Sequence, residues 1–376
     1  MKRKIRLVGL TLGDAFNPQT RSGVNYSLFS QLKQKCDLIR VFDLDLRGIR
    51  KACVALGTFS FNRRRWGNKL HQNAWAFDIR SAQARRVLNQ LELDVDLVFQ
   101  DGAMFVPPTE KAPPFVSYHD SNVLLASNGG ALSQGAHYSG NALKRAVRRE
   151  KRVYESAALI FTMSNWLKES LIRDFQISPD KIVTVYAGTN LPVENFQKEY
   201  DGRTILFVGA NFERKGGPVL LEAFRRVKKE VKDARLVVIG SNINVREDGV
   251  ETVGRVSDKA TLADYFRRAS VFALPSFYEP FGLVFAEAFA FKTPCIGTNI
   301  CAMPEIIEEG RGGWVVPVND SKNLADRIVM LLRDPVLAAK MGEYGFRKTS
   351  ELFNWDIVVD KMVSHCERVL SPDKLT

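Results

Sequence analysis

Short apolar runs bounded by glycine, proline, asparagine or aspartate alternate along this chain with segments of helical period. In the first half the runs are residues 5–10, 38–42, 95–99, 115–118, 159–162 and 182–186, and residues 26–35, 142–156 and 165–175 carry helical spacing. The second half repeats the plan with runs at 204–208, 235–239, 271–274, 294–297 and 313–316. Between the first two of these, Leu220, Leu221, Phe224, Val227 and Val231 fall on one helical face. Apolar runs without polar alternation suit strands covered on both faces, and their alternation with helices predicts parallel α/β sheets. Two such series predict two doubly wound, Rossmann-like domains.

The polar connection at 189–203 holds the seam, so that residues 1–195 form one domain and 200–354 the other. A last helical pattern, 355–370, lines up Trp355, Val358, Val359, Met362 and Val363. Residues 46–88 break the alternation and mix bases with aromatics, among them Arg63, Arg64, Arg65, Trp66, Lys69, Trp75 and Arg80. That segment reads either as an irregular solvated insertion or as a loop turned toward an acceptor or a membrane. Ligands of open parallel sheets sit outside the carboxyl ends of the strands, and two facing domains would place the site in the cleft between them.

Charge adds a second asymmetry. The 376 residues include 54 Lys and Arg against 42 Asp and Glu, a net charge of +12. Residues 1–200 hold 29 basic and 18 acidic side chains (+11), and residues 201–376 hold 25 and 24 (+1). An excess confined to one half points to an anionic partner, whether a membrane surface, a nucleic acid or an acidic small molecule, or to a surface that serves solubility alone. With 45% hydrophobic residues the chain is not a disordered one. Five scattered cysteines without CxxC spacing indicate neither a disulfide framework nor a zinc site, and they fit a reducing cytosol. The apolar run at 7–12, interrupted by Gly9, is too short for a signal-peptide core. The stretch 271–291 is interrupted by Pro275, Glu279, Pro280 and Glu287 and does not read as a membrane span. A cytoplasmic location is expected, with room for a peripheral place on the inner face of the membrane.

Three segments carry candidate chemistry. In the first, Pro280 and Gly282 mark a turn from the strand at 271–274 into a helix that holds Glu287. The N–H groups of Gly282, Leu283 and Val284 at that helix start would form an anion site, and Glu279 and Glu287 would flank one ligand. In the second, a strand ends at Gly209 and a helix begins after Gly216, with Arg214 and Lys215 as guanidinium and ammonium donors for a diphosphate. A Lys-Gly pair at a helix start also serves as a simple cap. In the third, His119 and Asp120 follow the strand at 115–118, where a histidine is either structural or functional, and Gly23 lies in a small-residue loop after the first strand. No G-x-G-x-x-G fingerprint is present, which counts against a dinucleotide-dependent enzyme.

Together these segments resemble the retaining GT-B glycosyltransferases of the family 4 type. The resemblance rests on Gly209, Lys215-Gly216, the Leu220 to Phe224 helix start and Gly240. It continues through Glu279 and Glu287 with seven residues between them, Pro304-Glu305 and Gly312 to Val315, and in the first domain through Ser164 and Gly188. It implies two Rossmann-like domains, the first completed by the helix 355–376, and transfer of a sugar from a nucleotide diphosphate sugar to an acceptor hydroxyl in glycan, glycolipid or envelope polysaccharide synthesis. It implies further that Glu287 binds the donor ribose and Glu279 the donor sugar. Arg214, Lys215 and the helix start at Gly282, Leu283 and Val284 would hold the diphosphate. Arg255 and Val256 would lie by the nucleobase, His119 by the sugar and phosphate, and Gly23 under the diphosphate. No metal and no cofactor beyond the co-substrate are implied. Many relatives carry arginine where this chain has Ala210, and Arg214 would supply the missing guanidinium. The expected partners are the nucleotide sugar, a sugar or lipid-linked acceptor and an anionic membrane surface met by the basic half. An epimerase or phosphorylase on the same fold, and a donor-binding subunit without turnover, are the alternatives. A nucleic-acid-binding protein lacks support, because neither zinc-finger spacing nor an RNP-like aromatic run occurs.

Overall fold

The structure, a computed structural model, describes residues 3–91, 94–108, 110, 112–129, 138 and 140–371. It consists of two compact units, residues 1–186 with 355–376 and residues 187–354.

In the first unit the elements run β1 (Arg6–Thr11), α1 (Val24–Lys35), β2 (Asp37–Asp43), α2 (Gly48–Gly57), α3 (Arg63–His71), α4 (Ala74–Asn89), β3 (Leu97–Asp101), β4 (Phe115–His119), α5 (Val123–Asn128), α6 (Gly140–Ser156), β5 (Leu159–Thr162), α7 (Asn165–Phe175) and β6 (Ile182–Thr184). The strands pair in parallel in the order β2-β1-β3-β4-β5-β6. β3, β4 and β5 are buried at every position, as their unbroken apolar runs require.

The second unit runs β7 (Thr204–Val208), α8 (Gly217–Glu230), β8 (Arg235–Ile239), β9 (Val250–Gly254), α9 (Lys259–Arg268), β10 (Val271–Ala273), α10 (Leu283–Ala290), β11 (Cys295–Thr298), α11 (Met303–Ile307), β12 (Gly313–Val316), α12 (Ser321–Arg333) and α13 (Pro335–Leu352). Its sheet is also parallel, in the order β12-β11-β10-β7-β8-β9. A final helix, α14 (Trp355–Leu370), returns to the first unit and packs on α1. Trp355, Val358, Val359, Met362 and Cys366 form its buried face, Lys35 bridges Asp356 and Asp360 at 2.7 and 2.8 Å, and Lys361 donates to the carbonyl of Thr184.

Each sheet winds outward in both directions from one pair of strands, β1 and β3 in the first and β7 and β10 in the second. Loops leaving such a pair diverge to opposite faces and leave a crevice at their carboxyl ends. These two crevices organise the chemistry described below.

Two sequence expectations need correction. Residues 46–88 are not an irregular insertion; they are three successive helices, α2, α3 and α4, resting on a small core of Leu46, Val54 and Ala76. Within them Arg80 is fully buried, its guanidinium bonded to the carbonyl of His71 at 2.7 Å and to Asp45 at 3.2 Å, so it belongs to the interior and not to a basic surface. The second correction is β9, whose Glu251 and Thr252 are exposed. It is an edge strand with no apolar run to betray it.

Candidate functional site

In the second unit, β7 ends at Gly209 and a tight turn delivers Arg214, Lys215 and Gly216 to the start of α8. Gly216 has φ 74°, and a Cβ there would lie 1.9 Å from the carbonyl oxygen of Pro275. This close approach welds the turn after β7 to the loop after β10. Across it, the amide of Phe277 donates to the carbonyl of Arg214 at 2.9 Å.

The weld brings the charged groups together. Lys215 Nζ forms an ion pair with the Glu279 carboxylate, and the Arg214 guanidinium stands 3.8 Å from the same oxygen. Arg214 is 5% exposed, and its Nη1 donates to the carbonyl of Tyr278 at 2.6 Å while its Nε has no partner. Burial lowers the Lys215 ammonium below its usual range, against the opposing pull of Glu279 and, further off, Glu287. Glu287 is half-buried one turn inside α10 and makes no ion pair among the described residues. Burial raises its carboxyl to about 7, against the pull of Lys259 and Lys215. Gly282 opens α10 in the left-handed region with φ 79°, and no side chain caps the helix, so its first N–H groups are left for a ligand. Two carboxylates, two cations and an uncapped helix start thus meet at the β7/β10 crevice. That set suits an anion bearing hydroxyl groups: the cations and amides match phosphate, and the carboxylates accept from O–H.

The first unit builds its own site at the β1/β3 crevice. Arg21, Ser22 and Gly23 adopt left-handed φ values of 50°, 55° and 80° in succession, a conformation that disfavours the first two residues. The turn aims Arg21 at Asp101, which it pairs, and at Asp120 at 3.2 Å; Asn25 also donates to Asp101 at 3.0 Å. Burial works against the Arg21 charge, and the two aspartates more than offset it. His119, at the end of β4, is 1% exposed. Burial, reinforced by the charge of Arg21, depresses its imidazole to about 3. It is therefore neutral at physiological pH, and its Nε2 has no hydrogen-bond partner. Tyr154 meets the ring edge-on at 5.1 Å.

His119 lines a cavity of about 330 Å³ together with Arg21, Asp101, Asn73, Arg149 and Glu150. Glu150, on α6, accepts from the amide of Val123 at 2.8 Å, and burial pushes its carboxyl up to about 8. With the native carboxyl protonated up to that pH and the unfolded one ionised above its ordinary range, folding binds a proton between the two values. Stability on this account falls as pH rises toward 8. Glu150→Gln keeps an acceptor for Val123 and removes the titration. Its melting temperature relative to the wild type is expected to rise between pH 5 and pH 8 in scanning fluorimetry; an unchanged difference would show that Glu150 does not titrate as a buried acid.

The structure assembles Arg214, Lys215, Glu279, Gly282, Leu283, Val284 and Glu287 in one crevice and His119 with the Gly23 turn in another. Arg214 is engaged by the loop after β10, through the carbonyl of Tyr278 and the carboxylate of Glu279. Arg255, exposed, and Val256, half-buried, lie between β9 and α9, and no hydrogen bond or ion pair joins them to the Glu279 cluster among the described residues. Sequence reasoning missed Arg21, Asp101 and Glu150. A signal existed for the last: Ala146, Glu150 and Val153 share one face of α6, so the one acid in a run of bases falls on the buried stripe.

Residues 202–334 match the family model described as glycosyl transferases group 1. A phosphatidyl-myo-inositol mannosyltransferase of Mycobacterium leprae is 32% identical over 178 residues, 45% of this chain and 47% of that protein. The chain spans between about half and two thirds of the length of curated relatives it matches. Among solved structures, a sucrose-phosphate synthase from Thermosynechococcus elongatus superposes with a TM-score of 0.70 at 18% identity, over 98% of this chain and 100% of that one. An Anabaena protein, HepE, solved with UDP and glucose, gives 0.61 at 14% identity over 96% and 99%. The fold is GT-B: two parallel α/β units of the kind these structures share.

Proposed function

We propose that the chain, whose residues 202–334 match the family model of glycosyl transferases group 1, is a retaining, metal-independent glycosyltransferase using a nucleotide diphosphate sugar. The observation that carries this reading is the cluster of Lys215, Arg214, Glu279 and Glu287 around the uncapped start of α10. In our reading Lys215 and the amides of Gly282, Leu283 and Val284 bind the diphosphate. Arg214 holds the loop of Tyr278 in place behind them. Glu287 accepts from the ribose hydroxyls. A diphosphate competes with Glu279 for Lys215, which frees that carboxylate to receive a hydroxyl of the donor sugar. Arg255 and Val256 are assigned to the nucleobase. Support for a UDP-like donor comes from the neighbour solved with UDP and glucose.

The first unit holds the acceptor, and His119 offers it, or a sugar hydroxyl, a neutral hydrogen-bonding nitrogen. Gly23 lets the loop after β1 approach phosphate. The acceptor oxygen attacks the anomeric carbon from the side on which the phosphate leaves. The C–O bond to the diphosphate breaks with its electron pair on the phosphate oxygen, and that oxygen takes the acceptor proton. Positive charge fixed at the departing oxygen stabilises it as it forms, in the role a divalent ion fills elsewhere. The related phosphatidyl-myo-inositol mannosyltransferase, by its name, serves a lipid acceptor, and the +11 charge of residues 1–200 suits a peripheral place on an anionic surface.

Incubation with α-linked UDP, GDP and ADP sugars and candidate acceptors, followed by proton NMR of the product, tests the reading. Acceptor-dependent release of nucleoside diphosphate and an α-linked product are expected. A β-linked product contradicts retention, and release of nucleoside monophosphate contradicts the chemistry.

A further inference from the structure

We infer that residues 46–77 form a bilayer anchor whose exposed apolar and aromatic side chains insert among anionic lipids. On α2, Ile49, Ala52, Cys53 and Leu56 follow the i, i+3, i+4, i+7 spacing of an apolar helix face, yet all four are exposed. The helix buries Val54 on its other side. Ile49 is 83% and Leu56 79% exposed, and the turn after α2 adds Phe61 at 96%. Phe59 links that turn to α3, with ring centroids 5.3 Å from Phe61 and 5.6 Å from Trp66. Trp66 donates to the carbonyl of Ala55 at 2.9 Å, and Trp75, itself half-exposed, packs against Gly57. The aromatic side chains are therefore held to α2, which carries the exposed apolar face, by a hydrogen bond and ring contacts. Isolated exposed apolar residues are ordinary; a contiguous patch at helical spacing marks an interaction surface.

Charge selects the occupant. Between Asp45 and Asp78 the sequence has seven Lys or Arg residues and no acid. An apolar face set among bases, with tryptophan at its edge, matches the interfacial region of an anionic bilayer. The same charge repels a second copy of this patch. No helix among the described residues is long and apolar enough to cross a membrane, so the geometry is that of a surface anchor. This deepens the peripheral association proposed above and rests on it, because electrostatic attraction alone would hold the protein without insertion.

Flotation of the full chain with phosphatidylcholine vesicles, with and without phosphatidylglycerol, at low and high salt, separates the two. The wild type is expected to float with the anionic vesicles and to keep a salt-resistant fraction, and brominated lipid is expected to quench its tryptophan emission. The double variant Leu56→Ser/Phe61→Ser, exposed at both sites, is expected to lose that fraction by roughly tenfold or more, from the apolar area withdrawn from the bilayer, with unchanged melting temperature and donor hydrolysis. Equal salt-resistant binding by variant and wild type overturns insertion. Binding abolished by salt in both overturns insertion and leaves electrostatic association standing, whereas no flotation of the wild type overturns both. A change in elution volume on size exclusion caused by the variant, without a change in flotation, assigns the patch to a protein interface and overturns the anchor.

Discussion

Lys215→Ala is expected to lower kcat for sugar transfer by roughly 10²–10³-fold, the loss seen when one preorganised donor to a developing oxyanion is removed. Lys215 Nζ lies in a water-poor crevice and, without ligand, is engaged by Glu279. A point charge in such surroundings acts on the leaving diphosphate with little screening. Removing it also leaves Glu279 with Arg214 at 3.8 Å as its remaining cation, so the variant remains folded and the loss is catalytic. Steady-state kinetics with the melting temperature as control checks this. A variant within threefold of the wild type would remove Lys215 from the machinery.

Gly216→Ala is expected to be strongly destabilising. An added methyl would sit 1.9 Å from the Pro275 oxygen, in a residue whose φ of 74° already disfavours a side chain. Left-handed strain of about 1–2 kcal/mol and the cost of overpacking, about 1–3 kcal/mol, sum to about 2–5 kcal/mol. For a unit of this size that lowers the melting temperature by roughly 5–15 °C. Gly310→Ala is the control, since its φ is 78° but nothing lies within 4 Å of the added carbon. It should show the strain alone. If the two variants unfolded together, the weld between the turn after β7 and the loop after β10 would not be what positions the site.

Much of the fold is legible because strands buried on both faces have little freedom in composition. Phe115 to Tyr118 and Leu236 to Ile239 are apolar throughout or nearly so, and sheet burial demands it. What escapes the pattern has physical causes. β9 is an edge strand with polar exposed residues. α2 turns its apolar stripe to the outside, so its periodicity sits beside Arg47, Arg50 and Lys51 and reads as disorder of pattern. The order of strands, which locates both crevices, is a property of crossovers and leaves no mark in any single run.

The site divides the same way. Lys215 and Glu279 are legible because they follow strands and precede helices, and Glu287 because it sits in the first turns of the helix that follows, where backbone geometry brings side chains to the carboxyl end of the sheet. Arg21 and Asp101 are not, since their pairing joins a left-handed turn to a strand end 80 residues further along the chain. Glu150 was hidden by its neighbours: four bases surround it, and only the helical period shows that it points inward.

Thermal stabilisation by nucleoside diphosphates tests the central claim most directly, because it needs neither the sugar nor the acceptor. A diphosphate at about 100 times its dissociation constant stabilises its binding unit by about 2.7 kcal/mol, which raises the melting temperature by roughly 5–10 °C. At least one of UDP, GDP and ADP is expected to produce such a shift in the wild type, and Lys215→Ala is expected to abolish it at the same concentration. No shift with any of the three, or an equal shift in the variant, would contradict the assignment of the diphosphate to the crevice of Lys215 and Glu279.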